Sequence, residues 1–230
     1  MKAILIATDL ELPRELEYVA GMDWGHNEPG CIVWAACLPN HRLHVLREWK
    51  FSDLADEEIA AGYVTRTKAL KVYVRYVAGD PSMWIRDGRN AKRGQSRAET
   101  LIRAGMPLRK AENAREDGWS RLHSLFRVPR NDDGDVTGDP LLTIDETCAY
   151  LRRTIPSAQS DKLNADDVNT RGDDHGLDAL RYMAMSRPSP TVTWQATRAP
   201  KGTAGHLLEE LRGSLGRQPV LGAGNVRGAA

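Results

Sequence analysis

Between Tyr18 and Trp49 the chain carries three apolar, β-branched or aromatic runs back to back: YVAGMDW (Tyr18–Trp24), CIVWAACL (Cys31–Leu38) and RLHVLREW (Arg42–Trp49). The turn residues between them are Gly25, Asn27, Pro29 and Gly30 in the first gap and Pro39, Asn40 and His41 in the second. Neither gap can hold the crossover that parallel strands need, so the three runs are expected to pair antiparallel. Ser52 or Asp53 then caps a helix predicted over Leu54 to Lys71, with Glu57 and Glu58 at its positive end. A fourth strand, Tyr73–Ala78, follows this crossover and stops at Gly79, Asp80 and Pro81.

Downstream, Asp87–Ser96 (DGRNAKRGQS) has the composition of a basic loop. Ser96 with Glu99 three residues later marks the start of a short helix over Arg97–Ala104, and Met106–Lys110 is a fifth strand. Trp119, Leu122, Leu125 and Phe126 give Asp117–Phe126 an amphipathic helical period. Asn131–Pro140 (NDDGDVTGDP) reads as a solvated hairpin tip rather than a calcium loop, and Leu141–Ile144 follows it. Thr143 or Asp145 is expected to open a further helix through Arg153, stopped by Pro156. The expected organisation is a lead-in segment over 1–17, one α/β domain over 18–187 and a Pro/Gly-rich tail over 188–230, with one helix in the tail near His206–Leu215.

No apolar run approaches the roughly 20 residues that cross a bilayer, and Lys2–Ala7 is too short for a signal peptide. A cytoplasmic protein that does not engage a membrane is expected. Cys31, Cys37 and Cys148 form no C-x-x-C pair, which argues against a disulfide framework or a thiolate zinc site and leaves them as buried thiols. Net charge is only +1, but it is segregated: Arg86–Arg130 holds 12 Lys/Arg against 5 Asp/Glu, and Asn131–Arg187 holds 6 against 12. A basic stretch beside an acidic one suits a protein that holds a polyanion next to a cation site.

The acidic stretch ends in DDHGLDALRY (Asp173–Tyr182). On a helix Asp174 and Asp178 lie one turn apart and His175 lies three residues before Asp178, so all three can face one point; Leu177, Leu180 and Ala184 form the adjoining apolar stripe. Asp23 and Asp80 sit at the ends of the first and fourth strands. The order of three strands, helix, strand, helix, strand is that of an RNase H-like fold. It implies a mixed central sheet of about five strands, three antiparallel and then parallel, flanked by helices. In that topology the first and fourth strands are neighbours, which brings Asp23 to Asp80. Carboxylates about 4 Å apart repel by roughly 4 kcal/mol per pair at an effective dielectric near 20, and divalent cations relieve that cost.

GMDWG (Gly21–Gly25), VAGDPSMW (Val77–Trp84) and above all DDVNTRGDDHGLDALRY (Asp166–Tyr182) resemble the nuclease domain of tailed-bacteriophage terminase large subunits, over residues 18 to 187. The resemblance implies a metal-dependent endonuclease that cuts double-stranded DNA during genome packaging in the bacterial host cytoplasm. It assigns Asp23, Asp80 and Asp178 to two Mg²⁺ or Mn²⁺ ions, makes His175 a fourth, auxiliary position, and leaves Asp174 as an alternative or extra ligand. Arg86, Arg89, Lys92, Arg93 and Arg97 would then emerge beside the metals as contacts for DNA phosphates. The small terminase subunit and the portal are implied partners. The packaging ATPase is implied as a further domain or a separate chain, because no G-x-x-x-x-G-K-[ST] loop occurs in this sequence. A RuvC-like Holliday junction resolvase and a non-catalytic DNA-binding packaging module are the competing readings.

Overall fold

The computed structural model describes residues 5–6, 12–25, 29–39, 41–86, 94–157 and 174–187. In chain order the elements are β1 (Leu5–Ile6), β2 (Glu17–Asp23), β3 (Gly30–Cys37), β4 (Leu43–Phe51), α1 (Asp56–Leu70), β5 (Val74–Gly79), a 3-10 turn (Pro81–Trp84), α2 (Arg97–Arg103), β6 (Leu108–Lys110), α3 (Arg115–Phe126), β7 (Leu142–Asp145), α4 (Ala149–Ser157) and α5 (His175–Ser186). The strands form one sheet in the order β1-β7-β4-β3-β2-β5-β6.

The antiparallel meander is its centre. β2 and β3 pair from Glu17↔Cys37 to Asp23↔Cys31, and β3 and β4 pair from Cys37↔Leu43 to Gly30↔Phe51 with one irregularity between Trp34 and Ala35. β5 joins β2 in parallel and β6 joins β5 in parallel, as the crossover through α1 predicts. The sheet has two strands more than expected from the sequence. β7 lies parallel to β4, and β1, from the stretch read as a lead-in, lies parallel to β7. A two-residue strand has no periodicity to read, so nothing local announced it.

Helices cover both faces. Tyr18, Ala20 and Met22 of β2 point to one core with Ile32, Trp34, Ile59, Tyr63, Ala98 and Leu101; Val19 points to the other, with Val33, Val45, Trp119, Leu151, Ala179 and Met183. Because β3 is buried on both faces, all eight of its residues are buried and its sequence is a continuous apolar run rather than an alternation. Trp34 anchors the first core: its indole stacks on Tyr63 with centroids 5.8 Å apart and donates to the Thr67 hydroxyl at 3.0 Å. Period two also fixes the position of Asp23, which is in step with Val19 and therefore on the α5 face.

Two helix starts differ from expectation. Neither Ser52 nor Asp53 caps α1: Asp53 adopts φ 56°, Ala55 holds the cap position, and its N–H donates to Glu58 Oε2 at 2.8 Å. Thr143 and Asp145 lie within β7, and α4 begins at Ala149 and includes Pro156 in its last turn. The N–H groups of Tyr150 and Leu151 donate to Glu48 of β4 at 2.6 and 2.8 Å. A cap supplied from another strand leaves no mark in the local sequence. The three cysteines are buried free thiols, as expected. Among the described residues no helix is long and apolar enough to cross a membrane. The chain divides into a unit over 1–191 and a unit over 192–230. The second, with the helix expected near His206–Leu215, lies outside the described residues.

Candidate active site

Asp23 is the last residue of β2, and Asp80 follows the last residue of β5. The Asp80 N–H donates to the Met22 carbonyl at 3.0 Å, extending the parallel ladder by one step and bringing the two acids side by side. The strand order alone required this adjacency. Helix α5 supplies the other acids by crossing directly over β2. A Cβ placed on Gly21 would stand 2.0 Å from the Ala179 carbonyl oxygen and 2.8 Å from Met183 Cβ, so only glycine permits this approach. Ala179 is the neighbour of Asp178, and Gly21 is two residues before Asp23 on the same face. A close approach of backbone to backbone therefore lies beside both Asp23 and Asp178.

Asp23, Asp174 and Asp178 are buried, at 7%, 9% and 8% exposure, and His175 sits among them. His175 Nδ1 donates to Asp23 Oδ2 at 2.8 Å. Burial above all pushes the Asp23 carboxyl up from its ordinary range; the His175 bond pulls it down, and the charges of Asp178 and Asp80 push it further up. Asp174, at the N-cap of α5, is pushed up to about 6, by burial first and then by Asp178. The Tyr182 phenol is raised by burial and then by Asp80, with smaller contributions from Asp178 and Asp23. These shifts show that the carboxylates from β2, β5 and α5 share one electrostatic environment.

Asp178 and Asp80 are also held by donors from the chain. Asp178 Oδ1 accepts Arg181 Nε at 2.8 Å and Nη2 at 2.7 Å, and Arg115 Nη1 stands 3.8 Å away. The Asp80 oxygens accept the Ser82 N–H at 2.9 Å and the Ser82 hydroxyl at 2.6 Å, which makes Asp80 the cap of the 3-10 turn as well as a member of the cluster. Among the described residues no three acidic, histidine or cysteine side chains stand arranged to hold a metal ion. The acids are gathered at one end of the sheet while their oxygens are bonded to His175, Arg181 and Ser82. The donor set still suits a hard divalent cation: the groups are carboxylates, three of the four are buried, and each carboxylate oxygen has a second lone pair.

Of the five expected phosphate contacts, Arg89, Lys92 and Arg93 lie outside the described residues. Arg86 pairs with Glu99 at 2.6 Å on the surface. Arg97 is taken up by packing: it pairs with Asp56 at 2.6 Å, and its guanidinium lies 3.6 Å from the Trp24 ring centroid. Trp24 is thus a packing residue here. Arg181 and Tyr182 belong to the same cluster, Arg181 through its bond to Asp178 and Tyr182 through the acids that raise its phenol. The signal for Arg181 was its i, i+3 spacing from Asp178.

No protein-family model matches the sequence, and no curated protein matches it. Solved structures do. The chain is similar to the large terminase from a thermophilic bacteriophage, at 19% identity and TM-score 0.58, over 78% of this chain and 41% of that one. It is similar to the P22 large terminase nuclease domain, at 20% identity and TM-score 0.56, over 76% and 84% of the two chains. It is also similar to the large terminase nuclease domain from bacteriophage SPP1 with bound Mn, at 16% identity and TM-score 0.51, over 78% and 94%. The chain spans less than half the length of the thermophilic phage's large terminase and most of the length of the two nuclease domains. The fold is the RNase H-like fold of large terminase nuclease domains.

Proposed function

We propose that this chain is a metal-dependent endonuclease that cleaves double-stranded DNA during phage genome packaging in the bacterial cytoplasm, as the nuclease of a terminase large subunit. The observation that carries the proposal is the meeting of Asp23, Asp80 and Asp178, from three separated elements, in one buried field that raises the Asp23 carboxyl. Such a field is costly for a chain to maintain unless cations enter it.

Asp23, Asp80 and Asp178 would hold two Mg²⁺ or Mn²⁺ ions, with Asp174 as a further oxygen ligand. When bound, the ions supply Lewis-acid stabilisation of the scissile phosphodiester and a nucleophilic water at neutral pH. The chain's own residues prepare that chemistry. His175 fixes the Asp23 carboxylate through Nδ1, and Ser82 fixes Asp80. The Cβ-free contact at Gly21 fixes the separation of α5 from β2. The stretch from Arg86 to Arg93, which follows directly on the Asp80 turn, would hold the DNA backbone through Arg86, Arg89, Lys92 and Arg93, while Arg97 braces its end against Asp56. Phosphate contacts of this kind position the duplex and read no sequence. A packaging ATPase, in the same protein or a separate chain, would deliver the DNA, with the small terminase subunit and portal as further partners.

The test is plasmid cleavage by the wild type and Asp178→Asn in Mn²⁺, Mg²⁺ or EDTA. Cleavage is expected only for the wild type with a divalent ion. Cleavage that survives EDTA or the substitution would overturn the proposal.

A further inference from the structure

Arg181 is among the largest fully buried side chains, at 0% exposure, although it carries a permanent charge. Burying a guanidinium is costly unless it is paired with well-placed hydrogen bonds. Its surroundings are shaped to hold it. It lies between α3 and α5 with its guanidinium 4.4 Å from the Tyr182 ring centroid and 5.4 Å from that of Trp119. Gly118 leaves the room: a Cβ there would stand 2.6 Å from Arg181 Cγ and 2.7 Å from Cδ.

The polar contacts of the guanidinium are unevenly shared. Nε and Nη2 both go to Asp178 Oδ1, and Nη2 also approaches Asn113 Oδ1 at 3.5 Å. Nη1 is buried with no hydrogen-bond partner. A buried donor left unmade costs about 1–3 kcal/mol, so the packing holds this fork where it is rather than where it would make the most bonds. Two donors on one carboxylate oxygen hold that oxygen in place. The contacts to Asp178 from Arg181 and from Arg115, at 3.8 Å, are all made at Oδ1.

We infer that Arg181 is a positioning residue: it binds Asp178 through Oδ1 so that Oδ2 is the oxygen presented to the divalent cation. The inference rests on the metal-nuclease reading above. The guanidinium suits this role because it sets two N–H donors in a fixed fork on that one oxygen, which a lysine ammonium of the same charge cannot do.

The experiment measures Mn²⁺ binding to the full chain by the electron paramagnetic resonance signal of free Mn²⁺, at one pH, with folding followed by circular dichroism. Arg181→Lys, which keeps the charge, and Arg181→Met, which removes it, are compared with the wild type and Asp178→Asn. Loss of a group that orients a metal ligand typically weakens binding 10–100-fold. Arg181→Lys is therefore expected to stay folded and to raise the Mn²⁺ Kd about tenfold, and Arg181→Met at least as much. A wild-type Kd in folded Arg181→Lys shows that the residue is structural only, and tighter binding shows a competitor for the carboxylate; either overturns the inference. If both substitutions unfold the chain, Gly118→Ala carries the same expectation, because it displaces Cγ and Cδ while keeping the guanidinium. Failure of the underlying reading looks different: the wild type binds no Mn²⁺, or Asp178→Asn binds it unchanged.

Discussion

Two groups of buried and half-buried acids flank the central strands, and they are built on opposite plans. At the ends of β2 and β5, burial and then the charge of Asp178 raise both Asp23 and Asp174, and the donors that hold Asp23 and Asp178 are the side chains of His175 and Arg181. Between β4 and α4, the Glu48 carboxyl is also raised by burial, but its oxygens take the N–H groups of Tyr150 and Leu151. In the same region Asp145 takes the N–H and hydroxyl of Thr147, and His44 bonds to Thr143. A half-buried acid with a raised carboxyl is therefore not in itself a mark of chemistry. Glu48 satisfies amides of a helix start that have no intrahelical partner, so the fold needs it. No helix end depends on Asp23 or Asp178. Asp80 belongs to both plans, since it caps a turn and joins the cluster.

The largest expected difference between the two groups is in activity. Asp23→Asn should lower cleavage at least about 100-fold, beyond what loss of a mere orienting residue costs, while the thermal midpoint holds or rises because a repelling charge is gone. A loss of cleavage that merely tracks unfolding would break the comparison. Glu48→Gln should do the reverse. Loss of the charged cap should cost about 1–2 kcal/mol in urea unfolding, with cleavage per folded molecule retained. Cleavage lost in proportion would move Glu48 into the site.

The smallest effect is a pH dependence. In EDTA, Asp174 holds its proton up to about 6 in the folded chain, against an ordinary value near 3.8. Between those values the folded state binds more protons than the unfolded state, so this residue's contribution to stability is full below pH 4 and is lost as pH rises through 6. Asp174→Asn should match the wild type at pH 4 and exceed it by about 1 kcal/mol at pH 7.5, after allowance for solvent screening. His44, whose lowered value makes stability rise with pH, is common to both proteins and cancels in the difference. Equal unfolding curves at pH 7.5 would place Asp174 outside the shared field.

Patterns confined to a few neighbouring residues were legible in the sequence. The meander strands, the crossover through α1 and the start of α5 follow from periodicity and turn residues. The Ser96–Glu99 capping box is present as read, with Ser96 Oγ accepting the Glu99 N–H at 3.2 Å and Glu99 Oε2 accepting the Ser96 N–H at 2.8 Å. The meeting of Asp23 with Asp80 was legible one level up, because strand order dictates it. Contacts chosen by packing between distant elements were not. Glu48 caps a helix a hundred residues away, β1 is an edge strand of two residues, and Asp178 is paired by a guanidinium whose position depends on Gly118 of another helix. Whether gathered acids converge on one point is decided by rotamers, and those depend on such contacts.

The glycine at position 21 bears on how far this domain can diverge. The spacing between α5 and β2 is set there by backbone against backbone, not by the volume of any side chain. Core residues elsewhere on the two elements can be exchanged for larger or smaller ones without carrying Asp178 away from Asp23. A lineage can thus replace most of its interior and keep the spacing of these two acids, which suits a chain that shares a fold with the P22 nuclease domain at 20% identity. What such a lineage cannot accept is a single added methyl group two residues before its first acid.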